Sequence, residues 1–119
     1  MSSKRILVVD DEASIRTLYA QELGDEGYEV ETVASAEEAT RVLERQRPDL
    51  LILDIELPGK NGLTYLREVM GEHRDMPVLI SSAYHSYKDD FASWSAEAYV
   101  VKSSDLDPLK AKVRELLAD

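Results

Sequence analysis

Each of four short apolar runs stops at residues able to do chemistry. Ile6-Leu7-Val8-Val9 is followed by Asp10-Asp11-Glu12, and Leu50-Leu51-Ile52-Leu53 by Asp54. Val78-Leu79-Ile80 leads into Ser81-Ser82, and Tyr99-Val100-Val101 into Lys102. Two carboxylates ~4 Å apart repel by ~4 kcal/mol at an effective dielectric of 20, so Asp10, Asp11 and Asp54 brought together need a cation. Oxygen ligands without His or Cys suit a hard ion such as Mg²⁺, which keeps water and substrate oxygens in its shell. That ion beside a carboxylate, a lysine and a hydroxyl supplies the parts that stabilise phosphoryl transfer. A carboxylate can itself attack phosphorus to give an acyl phosphate, and Asp54 is the best placed because it emerges alone from the central apolar run. Each feature also has a plain explanation. Asp11 could cap a helix beginning near Ala13, Ser81-Ser82 could simply end a strand, and Lys102 could be a solvated strand end. All of them falling on one edge by chance is far less expected than any one alone.

The elements that would bring these residues together follow from periodicity. Unbroken apolar runs suit strands buried on both faces of a parallel sheet. Tyr28 to Val33 alternates instead, with Tyr28 and Val30 separated by Glu29 and Glu31, which fits a fifth strand at an edge. Ile15, Leu18, Tyr19 and Leu23 form one helical stripe ending near Gly24 and Gly27. Ser35 with Glu38 is a capping box ahead of Ala39, Val42 and Leu43. Leu63, Leu66 and Met70 mark a third helix after the turn Pro58-Gly59-Lys60-Asn61-Gly62. A short, serine-rich pattern from Tyr87 to Trp94 suggests a fourth. Asp107-Pro108 reads as an N-cap with proline at N1 before Leu109, Val113, Leu116 and Leu117. The alternation predicts a (βα)₅ α/β fold, a doubly wound five-stranded parallel sheet with right-handed crossovers. Ligands of such sheets bind outside the carboxyl ends of the strands, where all the residues above would lie.

Composition narrows the classes. A chain of 119 residues is read as a single domain, spanning 1–119. It has no Cys, which excludes disulfides, thiolate metal sites and thiol nucleophiles. Fourteen Lys plus Arg against 24 Asp plus Glu give a net charge of −10, which opposes direct binding to nucleic acid or to anionic membranes. No apolar run reaches the ~18–20 residues of a membrane helix, and no signal peptide is evident, so a cytoplasmic location is expected. No Gly-rich loop follows any strand, which argues against nucleotide binding.

Taken in order, Arg5-Ile-Leu-Val-Val-Asp-Asp-Glu12, Pro48-Asp-Leu-Leu-Ile-Leu-Asp54-Ile-Glu-Leu-Pro-Gly-Lys-Asn-Gly62, Pro77-Val-Leu-Ile-Ser-Ser-Ala83 and Ala98-Tyr-Val-Val-Lys102 cover almost the whole chain. In this order and spacing they resemble the response-regulator receiver domain of bacterial two-component signalling, either stand-alone like a chemotaxis regulator or the N-terminal part of a longer regulator. The resemblance implies a flavodoxin-like sheet in the order 2-1-3-4-5. It implies that Asp54 accepts a phosphoryl group from a sensor histidine kinase or phosphotransfer protein. Asp11 and Asp54 would bind Mg²⁺ (Mn²⁺ as a substitute) directly, Asp10 through water and Glu56 through its backbone carbonyl. Lys102 would contact the phosphoryl oxygens, Ser82 would be the switch hydroxyl, and Tyr99 the aromatic that turns inward behind it. Activity would be limited to self-phosphorylation and self-dephosphorylation. The output would pass to a downstream protein target or to an output domain beyond the C-terminus, since the start at Met1 looks natural.

The sequence also departs from the family. Lys102 is usually followed by Pro after a cis peptide; here Ser103-Ser104 follows. A cis bond before a non-proline costs ~2.5–4 kcal/mol, so the loop either carries that cost or runs trans. Ser81 stands where an apolar residue is usual, so it either loosens the strand end or has a hydrogen-bond partner. The Tyr84 to Ser95 segment is short beside the family's fourth helix and carries His85, Tyr87, Phe91 and Trp94. These departures are the support for an alternative, a pseudo-receiver acting as a phosphorylation-independent interaction module. A second alternative is an Mg²⁺-dependent phosphatase using Asp54 with Glu56 as general acid; it is weakened because the chain is too short for a substrate-enclosing cap. His73 and His85 read as surface residues.

Overall fold

The structure is a computed structural model and describes residues 3–57, 62–73, 75–83 and 98–118. In chain order the described elements are β1 (Arg5–Val9), α1 (Ala13–Asp25), β2 (Glu29–Val33), α2 (Ala36–Arg45), β3 (Leu50–Leu53), α3 (Gly62–Glu72), β4 (Val78–Ser82), β5 (Ala98–Val101) and α4 (Asp107–Leu117). The five strands form one sheet in the order β2-β1-β3-β4-β5, and every pairing is parallel. The expected flavodoxin-like architecture is therefore the observed one. The helical pattern expected from Tyr87 to Trp94 lies outside the described residues.

Side-chain alternation along the strands divides the core in two. Leu7, Val9, Leu51, Leu53 and Ile80 pack with Ala39, Val42 and Leu43 of α2 and with Leu66 and Val69 of α3. Ile6, Val8, Leu50, Ile52, Leu79 and Val100 pack with Tyr19 and Leu23 of α1 and with Leu109 and Val113 of α4. Both faces of the central strands are thus covered, which is why their sequences are unbroken apolar runs rather than alternating ones. β2, at an edge, is partly exposed along its length.

Helix ends follow the sequence with small corrections. The Ser35 Oγ accepts the Glu38 N–H at 3.2 Å, and the Glu38 carboxylate reaches back to the Ala34 N–H at 2.7 Å. The capping box is therefore present, its return arm reaching one residue further than the usual pattern. α1 is preceded by Glu12 as N-cap, not by Asp11, and the Glu12 side chain makes no capping bond. α4 begins at Asp107 itself rather than after it. The capping acid is Asp105, whose carboxylate accepts the Asp107 N–H at 3.0 Å. Ser81 and Ser82 belong to β4 rather than lying beyond it. Gly27, at φ = 100°, takes the left-handed conformation that turns the chain from α1 into β2.

Candidate functional site

Asp10, Asp54 and Lys102 each stand one residue beyond a strand, and each still donates its N–H to the neighbouring strand. Asp10 bonds the Val33 carbonyl at 3.1 Å, Asp54 the Val9 carbonyl at 3.0 Å, and Lys102 the Ser82 carbonyl at 2.6 Å. The sheet therefore fixes the main chain of three candidate site residues at its carboxyl edge while their side chains reach past the last rung. Each follows a residue (Val9, Leu53 or Val101) that packs on the α2–α3 face, so their side chains turn to the face of α1 and α4.

There they meet. The Lys102 Nζ lies 3.0 Å from Asp54 Oδ2, 2.7 Å from Asp10 Oδ2 and 3.1 Å from Glu12 Oε1. Asp10 and Asp54 are almost wholly buried, at 1% and 2% exposure. Turn geometry holds their other oxygens: Asp10 Oδ1 accepts the Glu12 N–H at 2.9 Å and Asp54 Oδ1 the Glu56 N–H at 2.8 Å. Arg16 of α1 donates to the Asp10 carbonyl at 2.8 Å, anchoring the same turn.

Burial pushes the Asp10 carboxyl above its ordinary value, partly offset by Lys102 and the Glu12 N–H. Burial acts against the Lys102 ammonium too, but its contacts with Asp10 and Asp54 outweigh that and hold it well above the usual lysine range. The lysine is thus charged at every ordinary pH, and it is the counter-charge that lets buried carboxylates share one pocket.

The donor set fits a hard divalent cation. Asp10, Glu12 and Asp54 each present an oxygen within 4.8 Å of the others. The Asp10 Oδ2 is buried and has no well-directed hydrogen-bond donor, its approach to Lys102 being a close ion pair of poor angle. Such an oxygen, among converging carboxylates beside the Lys102 ammonium, suits a metal ion or one of its waters. Asp11 is exposed and is not among the converging acids. Glu56 is exposed, and its N–H rather than its carboxylate serves the site.

Ser82 and Tyr99 lie on the opposite face. Both are buried and hydrogen-bonded to each other, and burial raises the Tyr99 phenol above its ordinary value. Tyr99 belongs to the core cluster of the α2–α3 face, so it already points inward. The Lys102–Ser103 peptide is trans, since no peptide bond among the described residues is cis. The lysine reaches Asp54 all the same. Ser81 has a partner as well, the Tyr19 hydroxyl at 2.8 Å. Of the departures that supported a pseudo-receiver, the two within the described residues leave the cluster intact. Sequence reasoning gave no role to Glu12, Arg16 or Tyr19. Glu12 had a signal, being the third acid of one run; Tyr19 had only its place in the apolar stripe of α1, and Arg16 had none.

The comparisons agree with this geometry. The family model for the response regulator receiver domain matches residues 6–114. The two-component response regulator PhoP of Pseudomonas aeruginosa is 36% identical over 115 residues, 95% of this chain and 51% of that protein. The response regulator MprA of Mycobacterium tuberculosis is 37% identical over 117 residues, 97% of this chain and 51% of its own. The chain therefore spans about half the length of these curated relatives. Among solved structures, the response regulator TrrA of Thermotoga maritima in complex with Mg²⁺-BeF is 47% identical, with a TM-score of 0.90 over 96% of this chain and 99% of its own. TrrA in complex with the histidine kinase ThkA superposes at 0.88, covering 97% and 99%. With the sheet order, the acidic cluster and the lysine in place, this chain belongs to the response regulator receiver domain family.

Proposed function

We propose that the chain is a phosphorylation-activated signalling switch in which Asp54 accepts a phosphoryl group from a phosphohistidine of a partner histidine kinase. The observation that carries this reading is the 3.0 Å contact between Lys102 Nζ and Asp54 Oδ2 among buried carboxylates. In the transfer, an Asp54 oxygen forms a bond to phosphorus as the phosphorus–nitrogen bond breaks, and the departing imidazole keeps the electron pair. Lys102, already charged and already at Asp54, trades a carboxylate contact for the incoming phosphoryl oxygens. Because this charge is fixed in place beforehand, little reorganisation is needed as negative charge shifts between groups. A Mg²⁺ here would supply further charge beside these oxygens; Asp54 and Asp11, the latter turning in from its exposed position, would hold it directly, with Asp10 acting through water and Glu56 through its backbone carbonyl. The convergence of Asp10, Glu12 and Asp54, and the Mg²⁺-BeF complex of the 47%-identical TrrA, support an ion at this place. The TrrA–ThkA complex supports a histidine kinase as the partner.

After transfer, Ser82 turns from Tyr99 toward the phosphoryl group while Tyr99 stays packed behind it, and the rearranged surface is what a partner reads. That partner is a downstream protein or an output domain of a longer regulator in the cytoplasm, consistent with relatives about twice this length. Turnover is confined to self-phosphorylation and self-dephosphorylation.

The test is intact-protein mass after incubation with acetyl phosphate. A gain of one phosphoryl mass that needs Mg²⁺ and is absent from Asp54→Ala is expected. Equal labelling of Asp54→Ala would remove Asp54 as the acceptor.

A further inference from the structure

β4 ends in two serines whose hydroxyls are bonded to tyrosines on opposite faces of the sheet. Ser82 meets Tyr99 on the α2–α3 face. Ser81 meets Tyr19 on the α1–α4 face, hydroxyl to hydroxyl at 2.8 Å, with both side chains buried. The two bonds join different things. Ser82 and Tyr99 lie on β4 and β5, whose backbones are already paired. Tyr19 and Ser81 connect α1 to β4, which share no ladder, and in doing so they pass over β3, the strand that carries Asp54.

The two ends of this bond are also the two sides of the ion cluster. α1 follows directly from the turn that presents Asp10 and Glu12. The end of β4 receives the Lys102 N–H on the Ser82 carbonyl. Lys102, Asp10 and Asp54 lie near enough for their charges to act on the Tyr19 phenol. If the bond is lost, α1 and β4 stay packed through their shared core but lose the directed contact that fixes their spacing, and Lys102 shifts away from Asp10 and Glu12 or away from Asp54.

We propose that Tyr19, through Ser81, is a positioning residue for phosphoryl transfer. It sets the distance between the acids carried by the β1–α1 turn and the ammonium carried beyond β5, and so keeps Lys102 over Asp54. This rests on the receiver reading given above.

The experiment compares wild type, Tyr19→Phe, Ser81→Ala and the double variant by urea unfolding, by Mg²⁺ affinity and by the rate of phosphoryl uptake from acetyl phosphate. Each single change leaves one buried hydroxyl without a partner and lowers the unfolding midpoint; the double removes both hydroxyls and recovers most of that loss. Uptake is expected to stay about tenfold slow in all three, because misplacing a catalytic group by a fraction of an ångström persists when the packing is repaired. Mg²⁺ affinity stays unchanged. In a Lys102→Ala background, Tyr19→Phe causes no further loss of the residual rate. Recovery of the rate along with the stability in the double variant would overturn the proposal, leaving the pair a purely structural one. So would an equal effect of Tyr19→Phe with and without Lys102. A wild-type protein that takes up no phosphoryl group removes the receiver reading and this inference together, whereas a labelled wild type with unaffected variants removes the inference alone.

Discussion

The Asp10 carboxylate is held in the pocket against its own burial, which raises its pKa above the ordinary value of 3.8. A native state that binds the proton more tightly than the unfolded chain loses stability as pH rises from that ordinary value through the raised one. At pH 7 the charged carboxylate therefore costs stability in the metal-free protein. Asp10→Asn keeps an oxygen for the Glu12 N–H and removes the buried charge, so with chelator present it should raise the melting temperature at pH 7. The gain should shrink as pH falls through the raised value toward the ordinary one, because the wild-type carboxyl then takes up its own proton. The same variant should bind Mg²⁺ more weakly in calorimetry. A lower melting temperature at pH 7 would instead mean that the ion pair with Lys102 outweighs burial. Stability given up at a functional carboxylate is a cost that the sequence hints at only indirectly. Asp10, Asp54 and Lys102 were legible because each follows an apolar run, and a residue just beyond a buried strand sits at the sheet edge whatever the details. The turn of Glu12 toward Lys102, the exposure of Asp11 and the Tyr19–Ser81 bond were not legible. Each depends on rotamers and sheet geometry that bring together residues as far as 62 or 90 positions apart.

At the scale of elements, the start of α3 makes a close main-chain approach to the residue after Asp54. Gly62, the first residue of α3, donates its N–H to the Ile55 carbonyl at 3.1 Å. A Cβ at Gly62 would lie 2.6 Å from that same carbonyl oxygen and inside the Ile55 backbone. Main chain cannot step aside by changing rotamer, so Gly62→Ala should cost about 1–3 kcal/mol or more, read as a lower urea midpoint. Ile55 stands between Asp54 and Glu56, whose N–H holds Asp54 Oδ1. Phosphoryl uptake should therefore slow at urea-free conditions where the variant is still folded; an unchanged rate would show that the loop and Asp54 move independently. Helix existence was legible from the 3.6-residue stripes, because burial of one face fixes their period. Helix starts were less so. Asp105 and Asp107 are both good capping residues, and only the geometry shows that the first of them accepts the N–H of the second. The β1–α1 turn has the same ambiguity, with three acids in a row and the ion cluster drawing the last of them away from a capping role.

For the whole molecule, the proposed cation site exists only in the folded state. Asp10 and Glu12 follow β1, Asp54 follows β3, and their oxygens come within 4.8 Å of one another only when the sheet is formed. A cation that binds only the native form stabilises it by about 2.7 kcal/mol at a hundred times its dissociation constant, which for a domain of this size is on the order of 10 °C in melting temperature. The chain also carries a net charge of −10, so any salt should help by screening self-repulsion. The two effects separate at matched ionic strength. MgCl₂ should raise the melting temperature well beyond NaCl, and the excess should saturate as a single site fills. Asp54→Ala removes one of the converging carboxylates, so it should lose most of the Mg²⁺-specific excess while keeping the gain from NaCl. That outcome would place the stabilisation in the pocket rather than across the acidic surface. Equal curves for the two salts in the wild type would mean that the three carboxylates form only a charged patch balanced by Lys102, and the metal role assigned to the site would have to be withdrawn.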